Sequence, residues 1–146
     1  MKKSYDFFSN SPVTFGLCFK SGCASADNCL RRLAFRDLND SREKVIGVNP
    51  LIADTAGAGV CSLYRPAEPV RVAYGFSKAL ATVPKGRVKD VQRTICHNVC
   101  RRNYYYLLKG DKPLLPDMQR YVEDVLQQFG ASVPVEFDRY ESQYDW

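Results

Sequence analysis

"RVKDVQRTICHNVCRRNYYYLLKGDKPLLP", residues 87–116, decides the fold class, because the spacing of its apolar residues marks out one helix, a break and the start of another. Val88, Val91, Ile95 and Val99 recur at i, i+3, i+7 and i+11, which predicts an apolar stripe on one helix, with Gln92 and Cys96 flanking it. Residues 100–102 break the pattern and Asn103 is an acceptable cap. "YYYLLK" then predicts a short helix, stopped by Gly110 as a left-handed C-terminal residue. Residues three and four apart share a helix face, so Tyr104, Leu107 and Leu108 are expected to point into a core. Tyr105 and Tyr106 are then left on the outer side, near Arg101, Arg102 and Lys109.

Downstream, Pro116 suits a first helical position, and Met118, Tyr121, Val122, Val125, Leu126 and Phe129 form a face of helical period ended by Gly130. Three helices in close succession, the middle one short, are a layout compatible with a helix-turn-helix unit. Upstream, "VRVAYGF" alternates Val70, Val72, Tyr74 and Phe76 against Arg71, Ala73 and Gly75, which predicts a half-buried strand followed by a short helix at "SKALATV". "KVIGVNPL", residues 44–51, reads as a further short strand and "ADTAGAGV", residues 53–60, as a loop. The expected fold class is α+β, mainly helical. A Cys-rich lobe with a short sheet occupies 1–76, a helix-turn-helix-like lobe 77–130 and an extended strap 131–146, all in one compact unit.

The chain has 146 residues, 45% of them apolar and 25% charged, enough to bury a core and too apolar for a disordered protein. "MKK" opens like the basic start of a secretory signal, but Asp6, Ser9, Asn10 and Ser11 interrupt any apolar run after it. No stretch approaches the roughly 20 apolar residues of a spanning helix. These features predict a cytoplasmic protein with no membrane partner.

In a reducing compartment cysteines are buried thiols, metal ligands or redox groups rather than disulfides. Cys18 and Cys23 bracket a turn containing Ser21 and Gly22, and Cys29 falls one turn into a predicted helix that Ser25 or Asp27 is placed to cap. Cys61, after the Gly57-Ala58-Gly59 turn, is the candidate for a fourth corner. Four thiolates predict a closed structural zinc site at Cys18, Cys23, Cys29 and Cys61, with an iron–sulfur cluster as the alternative reading of the same sulfurs. Burial as small apolar side chains is the competing reading.

Charge is unevenly placed. Between Lys85 and Pro113 eight Lys or Arg oppose only Asp90 and Asp111, a net +6, whereas the whole chain carries +5. The excess therefore resides in the segment that carries the tyrosines, as expected of a surface that meets a polyanion. The candidate nucleic-acid-binding residues are Arg93, Arg101, Arg102, Tyr105, Tyr106, Lys109 and Lys112. The tail, "VEFDRYESQYDW", opposes this with Glu136, Asp138, Glu141 and Asp145 against Arg139, and predicts a strap that only finishes the core with its aromatic rings or, as the alternative, one whose acidic side faces the basic segment.

Catalytic signatures are missing. The one histidine, His97, lies on the basic helix beside Cys96, and sequence neighbours on a helix point to different faces and do not make a nucleophile and base. No Gly-rich phosphate loop, Gly-x-Ser-x-Gly or His-Glu-x-x-His occurs, so a binding module is expected rather than an enzyme.

Residues 87–130, with "CRRNYYYLLKGDKPLLPDMQRYVEDVLQQFG" at their centre, resemble the phage-repressor type of helix-turn-helix protein, in which a short recognition helix is followed by a loop and an amphipathic helix. The segment departs from that pattern in carrying "NVCRRN" where a small residue and a Gly-containing turn are usual. As a whole the chain resembles a family of small bacterial proteins of unknown function. The resemblance rests on the Cys-rich arm, on Tyr105, Tyr106, Gly110, Pro113 and Pro116, and on a terminal "FD.Y...Y.W" formed by Phe137, Asp138, Tyr140, Tyr144 and Trp146. The first resemblance implies double-stranded DNA as partner; the alternative is an acidic protein. Neither sets the oligomeric state.

Overall fold

The computed structural model describes residues 5–54 and 61–146, so most of the loop expected at 53–60 lies outside the described residues. The fold is α+β, with helices predominating over one small three-stranded antiparallel sheet. The chain forms two compact units, Met1–Glu68 with Tyr144–Trp146, and Pro69–Gln143.

The second unit starts where the alternation around Val72 makes a strand. Strand β1, Pro69–Tyr74, is the central member of the order β2-β1-β3, with β2 at Pro113–Leu114 and β3 at Arg139–Tyr144. Strands β1 and β2 run antiparallel, with Ala73 opposite Leu114 and Tyr74 opposite Pro113. The expected one-sided alternation fails at its centre. Val72 and Ala73 point to opposite faces and are both fully buried, as befits a middle strand. The short sheet thus belongs to this unit and not to the Cys-rich one.

Helices surround that strand. Helix α4 is Ser77–Ala81, α5 Val88–Asn98, α6 Arg101–Lys109 and α7 Pro116–Gln128. The apolar periods of the sequence become the core: Val91 and Ile95 from α5, Tyr104 and Leu107 from α6, and Val122, Val125 and Leu126 from α7 join Phe76 and Leu114. Pro116 occupies the first turn of α7, where its missing N–H costs nothing. Gly110 takes φ +83 and ends α6, and its N–H donates to the Leu107 carbonyl.

One boundary differs from expectation. Asn103 is not a cap: α6 starts at Arg101 with Cys100 in the capping position, leaving Val99 and Cys100 as the connection from α5. Cys100 makes no side-chain capping bond, so the helix begins there on backbone conformation alone.

The first unit holds helices α1, Phe7–Asn10, α2, Leu30–Arg36, and α3, Pro50–Asp54. The strand expected at residues 44–51 shrinks to one parallel bridge, Leu17 with Gly47. The reason is local: the Asn49 side chain accepts from the Leu51 N–H at 3.0 Å and Pro50 starts a helix instead. Irregular backbone needs partners for its carbonyls, and guanidiniums supply them. Arg42 donates to the carbonyls of Phe8 and Ser11 at 3.0 and 2.6 Å, and Arg31 to those of Leu63 and Gly16 at 2.9 and 2.8 Å. Phe8, Phe15, Leu17, Leu30 and Ala34 form the core of this unit, with Tyr144 and Trp146 packed against it.

Candidate functional site

Two constellations stood out in the sequence, and the structure treats them differently. Cys29 is not one turn into a helix; it is the residue that precedes α2, bridged to Pro66, while a short 3-10 turn occupies Ala26–Asn28 and Ser25 makes no side-chain capping bond. Cys29 is buried, Cys18, Cys23 and Cys61 are half-buried, and all are free thiols. Arg31 stands among three of them. Burial lowers its pKa, as does Arg65, while the sulfurs of Cys29, Cys18 and Cys61 act in the opposite sense. Among the described residues no three His, Cys, Asp or Glu side chains come together in a way that would hold a metal ion.

The basic constellation is a continuous surface. On α6, at about 100° per residue, Arg101, Tyr105, Lys109, Arg102 and Tyr106 follow one another around roughly 140° of the helix. Tyr104 and Leu107 on the opposite side are buried at 2% and 7% exposure. Arg101, Arg102, Tyr105 and Lys109 are exposed and Tyr106 is half-buried. Among the described residues, no carboxylate pairs with any of these three cations or with Lys112.

The phenols are held by neighbours. The Gln92 amide of α5 donates to the Tyr105 hydroxyl at 3.0 Å. Hydrogen bonding from Arg101, and then from Gln92, holds the pKa of Tyr105 below its ordinary value. Arg102 Nε donates to the Tyr106 hydroxyl at 3.0 Å, and its guanidinium carbon lies 5.5 Å from the ring centroid. Lys112 Nζ lies 5.3 Å from the same centroid and donates to Asn103 Oδ1 at 2.8 Å. Lys112 reaches this position because the N–H groups of Asp111 and Lys112 both turn back onto the Tyr106 carbonyl.

Arg93 stands apart. It pairs with Asp90 at 3.5 Å on the outer side of α5, and Arg87 pairs with the same carboxylate at 3.7 Å. Two residues absent from the sequence-based set, Gln92 and Asn103, complete the surface. Gln92 beside the apolar stripe was the available signal, since a polar residue flanking a buried stripe faces the next helix. Two of the four carboxylates of the tail are engaged elsewhere: Asp138 binds Ser77 and Lys78, and Glu141 pairs with Arg139 at 3.2 Å.

The electrostatics of α6 run against helix physics. Two guanidiniums occupy its first turn, where the macrodipole favours anions, and no side chain caps its N-terminus. The arrangement offers cations and phenolic O–H donors to one outward face, which is the chemistry of an anion-binding surface.

The family model described as a family of unknown function (DUF6078) matches residues 1–146, so the chain belongs to that family. No curated protein matches, and neither does any solved structure.

Proposed function

We propose that this member of the family is a small binding module that docks double-stranded DNA on the outward face of α6, acting by association and not by catalysis. The observation that carries the reading is the acid-free arc on which Arg101, Arg102 and Lys109 alternate with Tyr105 and Tyr106. Most exposed charge runs are interspersed with acids and solvated. Here the sequence accepts an unfavourable pair of cations in a first helical turn, and departures from a local rule concentrate at functional sites. From Arg101 to Lys109 the arc extends about 12 Å along the helix axis. Phosphates of one DNA strand recur every 3.4 Å or so of duplex axis, so that length faces three or four of them.

Salt titration tests the reading. Four cations, Arg101, Arg102, Lys109 and Lys112, give a log–log slope of duplex affinity on salt near about −3.6, a loss of about a hundredfold between 50 and 200 mM salt. Arg101→Ala with Arg102→Ala is expected to halve that slope. Duplex binding with neither affinity nor slope changed by the double substitution rejects the reading. Zinc at the cysteines of the first unit has no part in it.

A further inference from the structure

The phenols of α6 decide how a nucleic acid is read, an inference that rests on the proposed DNA-docking reading of the same face. Exposed tyrosines beside cations serve nucleic-acid binding in two ways. They can be platforms on which unpaired bases stack, or donors that hold phosphates. The first use needs a ring with an open face.

Tyr106 does not offer one freely. Its ring carries two cations of its own chain, Arg102 at 5.5 Å and Lys112 at 5.3 Å, and its hydroxyl accepts from Arg102 Nε. Lys112 is tied in turn to Asn103. A base stacking on this ring competes with cations that already lie beside it. Tyr105 is held as well, with its hydroxyl on Gln92 and its ring edge-on to that of buried Tyr104 at 5.3 Å.

Both hydroxyls act as acceptors in these bonds, which leaves each phenolic hydrogen available to donate. An O–H whose oxygen already accepts from a cation is polarised toward donating. The Tyr106 ring thus acts as a brace for the guanidinium of Arg102 and the ammonium of Lys112, and the O–H groups of both tyrosines add to the set of phosphate donors.

We infer that α6 is a preset phosphate comb: it binds the backbone of double-stranded DNA without regard to sequence, with Tyr106 as a positioning residue for Arg102 and not as a stacking platform. The amides beside the arc that could read adenine are engaged, Gln92 with Tyr105 and Asn103 with Lys112, and the Arg102 guanidinium that could read guanine is tied to Tyr106.

Tyr106→Phe separates the two uses, because it keeps the ring and removes the hydroxyl. Affinities of the full chain, wild type and variant, are measured by fluorescence anisotropy at low salt. The probes are two duplexes of about 20 base pairs with unrelated sequences and one single strand of each. The expected result has three parts. The duplexes bind within about threefold of one another and more tightly than the single strands, and Tyr106→Phe weakens duplex binding by about three- to tenfold for both sequences alike. Single strands bound as tightly as duplexes, with Tyr106→Phe as good as wild type, overturn the inference in favour of stacking. A preference of tenfold or more for one duplex overturns it in favour of base readout. Absence of binding to every probe defeats the DNA reading itself, and this inference with it.

Discussion

Asp138 closes the start of α4 from sixty-one residues away: its Oδ2 accepts the Ser77 N–H at 2.9 Å and the Ser77 hydroxyl at 2.7 Å, while its Oδ1 accepts the Lys78 N–H at 2.9 Å. The helix has no side-chain cap from its own preceding residue, Phe76, so a residue from the tail supplies the acceptor that orphan helix donors need. The Asp138 N–H donates in return to the Gly75 carbonyl at 3.0 Å. One residue of the strap thereby ties the end of β1, the start of α4 and the approach to β3.

Asp138→Ala is expected to destabilise the protein by about 1–2 kcal/mol, the usual cost of losing a helix cap, measured as a lower urea midpoint with unchanged slope. Burial pushes the carboxyl up, but the Ser77 hydroxyl and the N–H groups of Lys78 and Ser77 together hold its pKa below the ordinary value of 3.8. Its contribution to stability is therefore complete above that ordinary value and is lost as pH falls through the lowered folded one. Asp138→Asn is expected to flatten stability against pH in that acid window, and an unchanged acid limb refutes the role.

Gly75→Ala tests the same junction from the other side. Gly75 sits at φ +71, and a Cβ there would clash with Asp138 Oδ2. Backbone strain and displacement of the carboxylate act together, so a loss of about 1–3 kcal/mol is expected. The double variant with Asp138→Ala is expected to lose less than the two single losses added.

Tyr104 and Tyr105 are neighbours with opposite titrations. Burial pushes the Tyr104 phenol up to about 12, with Cys96 and Tyr105 adding to the rise, whereas Tyr105 lies below its ordinary value. Ultraviolet titration of the tyrosines is expected to show an early phase removed by Tyr105→Phe and a late phase removed by Tyr104→Phe. Because the unfolded chain ionises near pH 10 and buried Tyr104 does not, stability falls as pH rises from there toward about 12.

Arg101→Glu exchanges a cation for an anion in the first turn of α6. Removing the conflict with the helix dipole is expected to raise stability by about 0.3–1 kcal/mol while duplex affinity falls. A variant both less stable and unimpaired in binding assigns Arg101 to the fold and not to the surface.

The six thiols give an independent reading of the first unit. With all six free, titration by an aromatic disulfide reagent in native buffer is expected to modify exposed Cys100 first and buried Cys29 last. Joint protection of Cys18, Cys23, Cys29 and Cys61, released by a chelator, is the outcome that supports the zinc reading.

The periods of α5 and α7, the stop at Gly110, the strand around Val72 and the inward turn of Tyr104 were all legible along the chain. Each is set by side-chain spacing and local backbone preference, which act over a few residues. The strand expected at 44–51 was misjudged because Asn49 and Pro50 start a helix, and an isolated apolar run does not reveal which of two local signals prevails. The basic tyrosine arc was visible as composition, and α6 keeps its members on one side. Its completion by Gln92 and Asn103 was not visible, because those bonds join separate elements.

By itself, then, the sequence determined the helices α5, α6 and α7, the apolar stripe of each and where positive charge accumulates, since these follow from spacing within single elements. Only the tertiary structure decided that Asp138 caps α4, that Lys112 folds back over Tyr106 and that Arg93 is spent on Asp90 while Arg102 stays free of any carboxylate among the described residues. Those pairings depend on where elements distant along the chain, or side chains with several rotamers, come to rest, and packing of the whole unit selects among them.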